Sequence, residues 1–396
     1  MKTTVAFMFG CRSVEHEVSI ISAVQAMRSV NREKYDVVPI YVTKSGEMYC
    51  SDKMFEIESF RDIKALLAAS EPVTLVKSGK DVVLKFLNNK MFGKKKDIVL
   101  NVAFPVVHGT NCEDGTLQGY LEFLGLPYVG CDILSSSVGM DKAVFKYVMD
   151  AAGLPVLPCI CFYAREYAKE KEAVIERAEK EIGYPMIVKP VNLGSSVGIT
   201  KANDRNALID AIDLAVSFSD KVLIEHAVSA IREINCSVVG DADSCCASVC
   251  EEPFMNDEIL SYEDKYMANS KSSGNKGMAS LSRKIPAELS ETKSNEIREL
   301  AKKVFKALGA AGVVRIDFII DTDTDKVYVN EINTIPGSLA FYLWEATGTP
   351  YSELLDKLIS LAFRRNRNRE NLTFTIDTKI LSGVSFGTKG SKGSKL

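Results

Sequence analysis

The residues from Val313 to Gly337 read VVRIDFIIDTDTDKVYVNEINTIPG, two β-rich runs joined by a polar Asp/Thr turn, which predicts a hairpin. Side chains alternate along a strand, so Arg315 and Asp317 share one face while Ile316 and Phe318 take the other. On the second run Glu331 and Asn333 share a face and Ile332 turns away. Two carboxylates and an amide oxygen can thus converge. Hard oxygen ligands of this kind suit Mg²⁺, which takes one or two carboxylates and completes its shell with water and substrate phosphates. A solvated charged sheet face is the plainer explanation of an isolated acidic pair, but here apolar runs flank the acids. Asp321-x-Asp323-x-Asp325 resembles a calcium loop, yet Lys326 stands where that loop needs glycine and Ile332 where it needs a bidentate glutamate, so calcium is rejected.

A phosphate site has fewer candidates. The chain has no GxxxxGK[ST] and no GxGxxG. Lys189-Pro190-Val191-Asn192-Leu193-Gly194-Ser195-Ser196-Val197-Gly198 reads as a strand ending in lysine, then a loop whose glycines let backbone N–H groups approach an anion. The alternative is an ordinary turn. The same loop satisfies GxSxG, which would make Ser196 a hydrolase nucleophile, but the only histidine downstream is His226, at the end of a predicted strand and not on a late loop. Lys142, after Met140-Asp141, and His108-Gly109, before Glu113-Asp114-Gly115, decide nothing singly.

The elements that must position these residues follow from hydrophobic spacing. Thr4–Phe9, Asp36–Val42 and Asp97–Phe104 read as strands. Between the first two, Val14, Val18, Ile21, Val24 and Met27 recur at helical spacing, with Ser13 as N-cap, which predicts a βαβ start to a doubly wound parallel-sheet domain over 1–134. A mixed central segment, 135–225, has a helix at Asp141–Ala152, strands at Pro158–Phe162, Met186–Pro190 and Lys221–Glu225, and a charged helix at Ala164–Ile182. A third, 226–364, has strands at Glu233–Val239, Val313–Asp321 and Lys326–Asn333 and a helix at Glu291–Leu308. Within it Glu263–Pro286 is polar and Gly/Ser/Lys-rich, as suits a mobile lid. The extension 365–396 ends in a Gly/Ser/Lys tail that reads as disordered.

Composition narrows the partners. Forty-nine Lys and Arg against 52 Asp and Glu give a net charge of −3, with no basic field to gather nucleic acid or an anionic membrane. No run reaches the roughly 18–20 apolar residues of a membrane span. The ten cysteines form no CxxC pair and the three histidines lie far apart, so zinc lacks its usual ligands and reduced thiols in a cytoplasmic chain are expected.

Taken in order, several blocks resemble the D-alanine–D-alanine ligase family of the ATP-grasp superfamily: Ser13 through Ser19, His108-Gly109 with Glu113 through Gly119, Met140-Asp141-Lys142, Val188 through Ile199, Tyr262 through Tyr266, Arg315-Ile316-Asp317 and Asn330 through Gly337. The resemblance implies a three-domain α/β fold in which two α+β domains sandwich ATP. It puts Lys142 and Lys189 on the phosphates with the Ser196 loop, Glu225 near the adenine hinge, Glu233 on the ribose and Lys265 in the lid. Asp317, Glu331 and Asn333 would carry two Mg²⁺ ions, with Mn²⁺ as a substitute. Glu15 would orient the first D-alanine, a Glu15, Ser195, Tyr266 chain would close the lid, and Arg315 with the Gly337 N–H would stabilise an oxyanion. The partners implied are D-alanine and a second D-amino acid, with a homodimer left open. The expected reaction joins two D-alanines for peptidoglycan precursors; a D-Ala–D-Ser ligase or another ATP-grasp carboxylate–amine ligase is the alternative. The chain departs from the family at Cys112, before Glu-Asp-Gly, at His226, beside Glu225, and at Tyr342, near which many relatives place a serine. Tyr266 favours an amine nucleophile, D-Ala or D-Ser, over D-lactate.

Overall fold

The computed structural model describes residues 2–88, 96–193, 198–253, 283–378 and 380–383. Three sheets organise them. The first runs β6-β5-β4-β3-β2-β1-β7, with β1 (Thr3–Gly10) at the parallel end between β2 (Tyr35–Val42) and β7 (Val102–Pro105). Its other four strands, β3 (Met48–Cys50), β4 (Glu71–Ser78), β5 (Asp81–Phe86) and β6 (Ile98–Leu100), continue it antiparallel. The parallel arrangement expected from the sequence is therefore confined to three strands. The run expected as one strand over Asp97–Phe104 is two: Asn101 breaks it, its Oδ1 accepting from Thr4 N at 2.8 Å, and the chain passes from an antiparallel partner to the parallel partner β1.

The first helix, α1 (His16–Ser29), is present, and Val18, Val24 and Met27 of its apolar set are buried as expected. Val14 and Ile21 are exposed, whereas His16, Ser19 and Ser22 are buried. At this end of α1 the buried polar side chains find polar partners: His16 Nε2 meets Tyr41 Oη of β2 at 2.9 Å, and Ser19 Oγ donates to Val106 O at 2.6 Å. Glu15, not Ser13, is the N-cap residue, and Ser13 Oγ accepts from its N–H at 3.1 Å. Next come α2 (Ile63–Ala68), α3 (Thr116–Leu124), α4 (Ile133–Met140) and α5 (Lys142–Ala151). Asp141 caps α5 by accepting from Ala143 N and Val144 N.

The second sheet is antiparallel, β10-β9-β11-β8, from β8 (Cys159–Tyr163), β9 (Met186–Pro190), β10 (Thr200–Ala202) and β11 (Lys221–His226). The charged helix expected over Ala164–Ile182 is two, α6 (Ala164–Lys169) and α7 (Lys171–Glu181), broken where Glu170 leaves helical geometry, with α8 (Arg205–Phe218) packed beside them. The third sheet, β14-β13-β12-β15-β16, joins β12 (Ile231–Gly240), β13 (Cys245–Pro253), β14 (Arg283–Lys284), β15 (Gly312–Asp321) and β16 (Lys326–Asn333), all antiparallel. Helix α9 (Glu291–Leu308) covers its apolar face through Ile297, Ala301, Val304 and Phe305, joined there by Phe145 and Met149 of α5. After α10 (Phe341–Ala346), the long α11 (Tyr351–Glu370) lays Leu354, Leu355, Leu358 and Ile359 into the core of the first sheet, so the end of the chain returns to its beginning. All ten cysteines are free. The lid expected over Glu263–Pro286 lies outside the described residues up to 282, as does the tail from 384.

Candidate active site

The hairpin β15–β16 forms with the expected faces. Asp317 lies opposite Glu331, and Arg315 opposite Asn333. Between them the pairing shifts, Phe318 opposing Val329, so that Asn330 is the extra residue of a bulge. The bulge has a packing cause. Val327 and Val329 face the core, and so does Ile332, which strict alternation would have put on the opposite side. One inserted residue lets all three be buried while Glu331 and Asn333 remain on the outer face.

That face carries a polar row straight across four strands: Glu251 on β13 lies opposite Asn235 on β12, Asn235 opposite Asp317 on β15, and Asp317 opposite Glu331 on β16. Glu233 stands two residues along β12 on the same side. Arg315 donates to both oxygens of Asp317, Nε to Oδ1 and Nη2 to Oδ2, each at 2.7 Å, and Asn333 Nδ2 donates to Oδ2 at 3.1 Å. Burial and the Glu331 charge push the Asp317 carboxyl up while Arg315 opposes them; Arg315 in turn is held well above its ordinary value by Asp317 despite its own burial. Two carboxylates and the amide oxygen left by the Asn333 donation form a hard donor set that fits Mg²⁺. Among the described residues no group of three or more His, Cys, Asp and Glu gathers for a metal, here or elsewhere; this donor set is two carboxylates and an amide.

Lysines from the middle of the chain reach this row. Lys142, at the start of α5, donates to Leu193 O at 2.8 Å and lies 3.3 Å from Glu331 Oε2. Lys189, at the end of β9, is 3.5 Å from Asn330 Oδ1 and ion-paired with Glu225. Glu225 is 2% exposed and holds a second lysine, Lys146, at 2.8 Å; burial would raise its pKa, but the two ammonium groups outweigh it and hold the carboxyl down at about 2. The Glu225 carboxylate is thus clamped between lysines.

A third group gathers around the N-terminus of α1. Glu15 is buried, and a Cβ on Gly109, whose φ is +79°, would come within 2.9 Å of Glu15 Oε2. Glu113 fastens the segment after β16, accepting from Ile335 N at 2.8 Å and from Gly109 N at 3.2 Å; burial and Glu15 push its carboxyl up to about 7. His108 is buried with Nδ1 2.8 Å from Ile335 O and Nε2 3.0 Å from Ser22 Oγ, and burial lowers its pKa, so it is neutral, with Nδ1 donating and Nε2 accepting. Beyond Gly337, Ser338, Leu339 and Ala340 all have φ near +50°, a left-handed turn pinned to α1 by Ser338 N to Ser22 Oγ at 2.9 Å and Ser338 Oγ to Gln25 Oε1 at 2.7 Å. Ser195, Ser196, Lys265 and Tyr266 lie outside the described residues.

Sequence reasoning missed Lys146, Glu251, Asn235 and Arg283 here. Lys146 sits one helical turn after Lys142, a spacing that puts both on one side of α5. Glu251 was hidden because β13, CCASVCEEP, was not recognised as a strand. Its carboxylate is 2% exposed and accepts from Tyr342 Oη at 3.1 Å and Asn235 Nδ2 at 3.0 Å, with Arg283 Nη1 at 3.0 Å and the Arg283 guanidinium 4.3 Å from the Tyr342 ring centre.

The family model described as D-ala D-ala ligase N-terminus matches residues 4–131, and the one described as D-ala D-ala ligase C-terminus matches residues 148–360. The chain belongs to the D-alanine–D-alanine ligase family. A D-alanine–D-alanine ligase from Caldicellulosiruptor bescii is 42% identical over 379 residues, covering 94% of this chain and 99% of that protein. One from Thermosipho melanesiensis is 40% identical over 381 residues, covering 95% and 98%. Among solved structures, the D-alanine-D-alanine ligase from Coxiella burnetii superposes with a TM-score of 0.78 at 29% identity, over 93% of this chain and 96% of its own. The VanG D-Ala:D-Ser ligase from Enterococcus faecalis gives 0.75 at 31%, over 91% and 100%. Within this D-alanine–D-alanine ligase family chain, the polar row lies in the segment matched by the C-terminal model and Glu15, His108 and Glu113 in that matched by the N-terminal model.

Proposed function

We propose that this chain joins two D-alanine molecules at the expense of ATP, in the cytoplasm, supplying the dipeptide for peptidoglycan precursors. One observation carries the reading: cations from the middle of the chain and oxygens from the late hairpin meet, Lys142 at 3.3 Å from Glu331 and Lys189 at 3.5 Å from Asn330. Lys142 and Lys189 hold the phosphates, with Ser196 in the adjoining loop, Glu225 marks the adenine side, Glu233 the ribose, and Lys265 the lid. Asp317, Glu331 and Asn333 would hold Mg²⁺, which when bound draws charge off the phosphates.

Glu15 orients the ammonium of the first D-alanine, whose carboxylate oxygen attacks the γ-phosphorus as the bond to ADP breaks. The amine of the second D-alanine then attacks the acyl phosphate carbonyl; Arg315 and the Gly337 N–H stabilise the oxyanion before the carbon–oxygen bond to phosphate breaks and the amine gives up its proton. Ser195 and Tyr266 complete closure with Glu15. Tyr342, standing near where many relatives have serine, keeps D-serine as a second acceptor to be compared.

The test is phosphate release from ATP and Mg²⁺ with D-alanine alone, D-alanine plus D-serine and D-alanine plus D-lactate, with products identified by mass. D-Alanyl-D-alanine in the first reaction is the expected result. ADP without a new peptide bond would refute the proposal.

A further inference from the structure

A fully buried lysine is costly unless a charge answers it, and Lys146 has no exposed surface at all. Its partner is one oxygen of Glu225, at 2.8 Å; the other oxygen of the same carboxylate holds Lys189. One buried carboxylate therefore serves two ammonium groups, and this trio carries a net charge of +1. For a purely structural pair the second lysine is redundant, since Glu225 and Lys189 already neutralise each other.

The redundancy makes sense if one lysine has to leave. Lys189 lies at the end of β9 with Asn330 of the bulged hairpin 3.5 Å from its Nζ, on the side of the trio that faces Glu331 and Lys142. Lys146, inside α5 behind them, has no comparable outlet. We propose that Lys146 is a positioning residue for ATP binding: it is the standing counter-ion of Glu225, and it releases Lys189 to bind a phosphate without leaving a buried carboxylate unpaired. The inference rests on the ATP-dependent reading above.

Lys146 does not touch the nucleotide in this account, so the test is built on exchange of partners. In Lys146→Met, Glu225 has only Lys189 and keeps it, so ATP binding must break the last ion pair of a buried acid. The dissociation constant for ATP with Mg²⁺ and no D-alanine, measured by calorimetry on the full chain, is expected to rise about tenfold or more, as loss of one nearby charge does at an effective dielectric near 20. The KM for D-alanine is expected to stay within about twofold, the error of such comparisons when an interaction is not involved.

The double variant Lys146→Met/Glu225→Gln separates this from a packing role. Because Glu225 also marks the adenine side, the reference is Glu225→Gln alone: with no carboxylate to hold Lys189, removing Lys146 as well is expected to leave affinity for ATP within about twofold of that variant. A merely structural lysine predicts the reverse, two losses that add. ATP affinity unchanged in Lys146→Met, or a double variant about tenfold weaker than Glu225→Gln, overturns the proposal. Should Lys146→Met fail to fold, the double variant compared with Glu225→Gln decides: they are expected to bind ATP alike, and a tenfold difference between them is contrary. A wild-type chain that binds no ATP would instead sink the functional proposal, which keeps the two failures distinct.

Discussion

Replacing Arg315 by alanine removes the guanidinium proposed for the oxyanion and also, among the described residues, the only cation donating to Asp317, with two hydrogen bonds of 2.7 Å lost together. The two consequences can be separated. Loss of one transition-state donor lowers kcat by about 10²–10³. Loss of the partner of a buried acid costs about 3–5 kcal/mol of stability, because a carboxylate opposite Glu331 is left without its counter-ion. ATP is held by other groups in this reading, Lys142 and Lys189, neither of which bonds to Arg315, so its dissociation constant should move by no more than about threefold, within 0.7 kcal/mol. ADP release under saturating D-alanine measures the first effect, thermal unfolding the second and calorimetry the third. A variant that keeps more than about a tenth of the wild-type kcat, well above what loss of a true oxyanion donor allows, would refute the assignment. A slow variant that has also lost ATP binding would show that Arg315 organises the nucleotide site instead.

Glu113 links the N-terminal and C-terminal parts and should make stability depend on pH. Its folded pKa is raised by burial from the ordinary 4.5 to about 7, so the folded chain holds a proton that the unfolded chain has lost; stability therefore falls as pH rises between those values, by about 3 kcal/mol over the window, and Glu113→Gln should flatten the trend in urea midpoints between pH 5 and pH 8. An identical pH trend in the variant would assign the slope to other groups. Gly312 has φ +79°, and a Cβ there would sit 2.7 Å from the Gly130 Cα, backbone against backbone; Gly312→Ala should cost about 3 kcal/mol, and an unchanged unfolding midpoint would contradict the close approach. Tyr342→Phe withdraws the hydroxyl donated to Glu251 at 3.1 Å while keeping the ring under Arg283, and should lower stability by about 1–3 kcal/mol; no loss would mean that Glu251 is satisfied without it.

How far the sequence reveals this site depends on whether neighbours in space are neighbours in the chain. The facing of Arg315, Asp317, Glu331 and Asn333 was legible because a short turn fixes the hairpin register and alternation does the rest. The bulge at Asn330 could have been read as well, from the parity conflict between Val327, Val329 and Ile332. The buried face of α1 was legible at Val18, Val24 and Met27 but not at Ser19 and Ser22. Hydrophobic spacing assumes an apolar neighbour, and here Ser19 and Ser22 pack against Val106 O, His108 and Ser338, polar partners more than 80 residues away in sequence. The pairing of Lys146 with Glu225 spans the chain of the whole second sheet and leaves no local pattern.

The charges around the proposed nucleotide site are arranged so that each has a protein partner: Arg315 with Asp317, Lys142 with Glu331, and Lys189 and Lys146 with Glu225. Burying unpartnered ions would cost several kcal/mol apiece, so a site that must alternate between empty and loaded needs internal pairs that can be exchanged for external ones. On the proposed reading, magnesium takes the place of cations at Asp317 and Glu331, and phosphates take the place of carboxylates at Lys142 and Lys189. Metal alone would part Lys142 from Glu331, and phosphate alone would part Glu331 from Lys142. The two ligands therefore favour each other's binding, because each supplies the counter-charge that the other displaces. Glu225 is the exception that tests the rule: no metal is proposed for it, and it alone among these acids has two lysines, one to give up and one to keep.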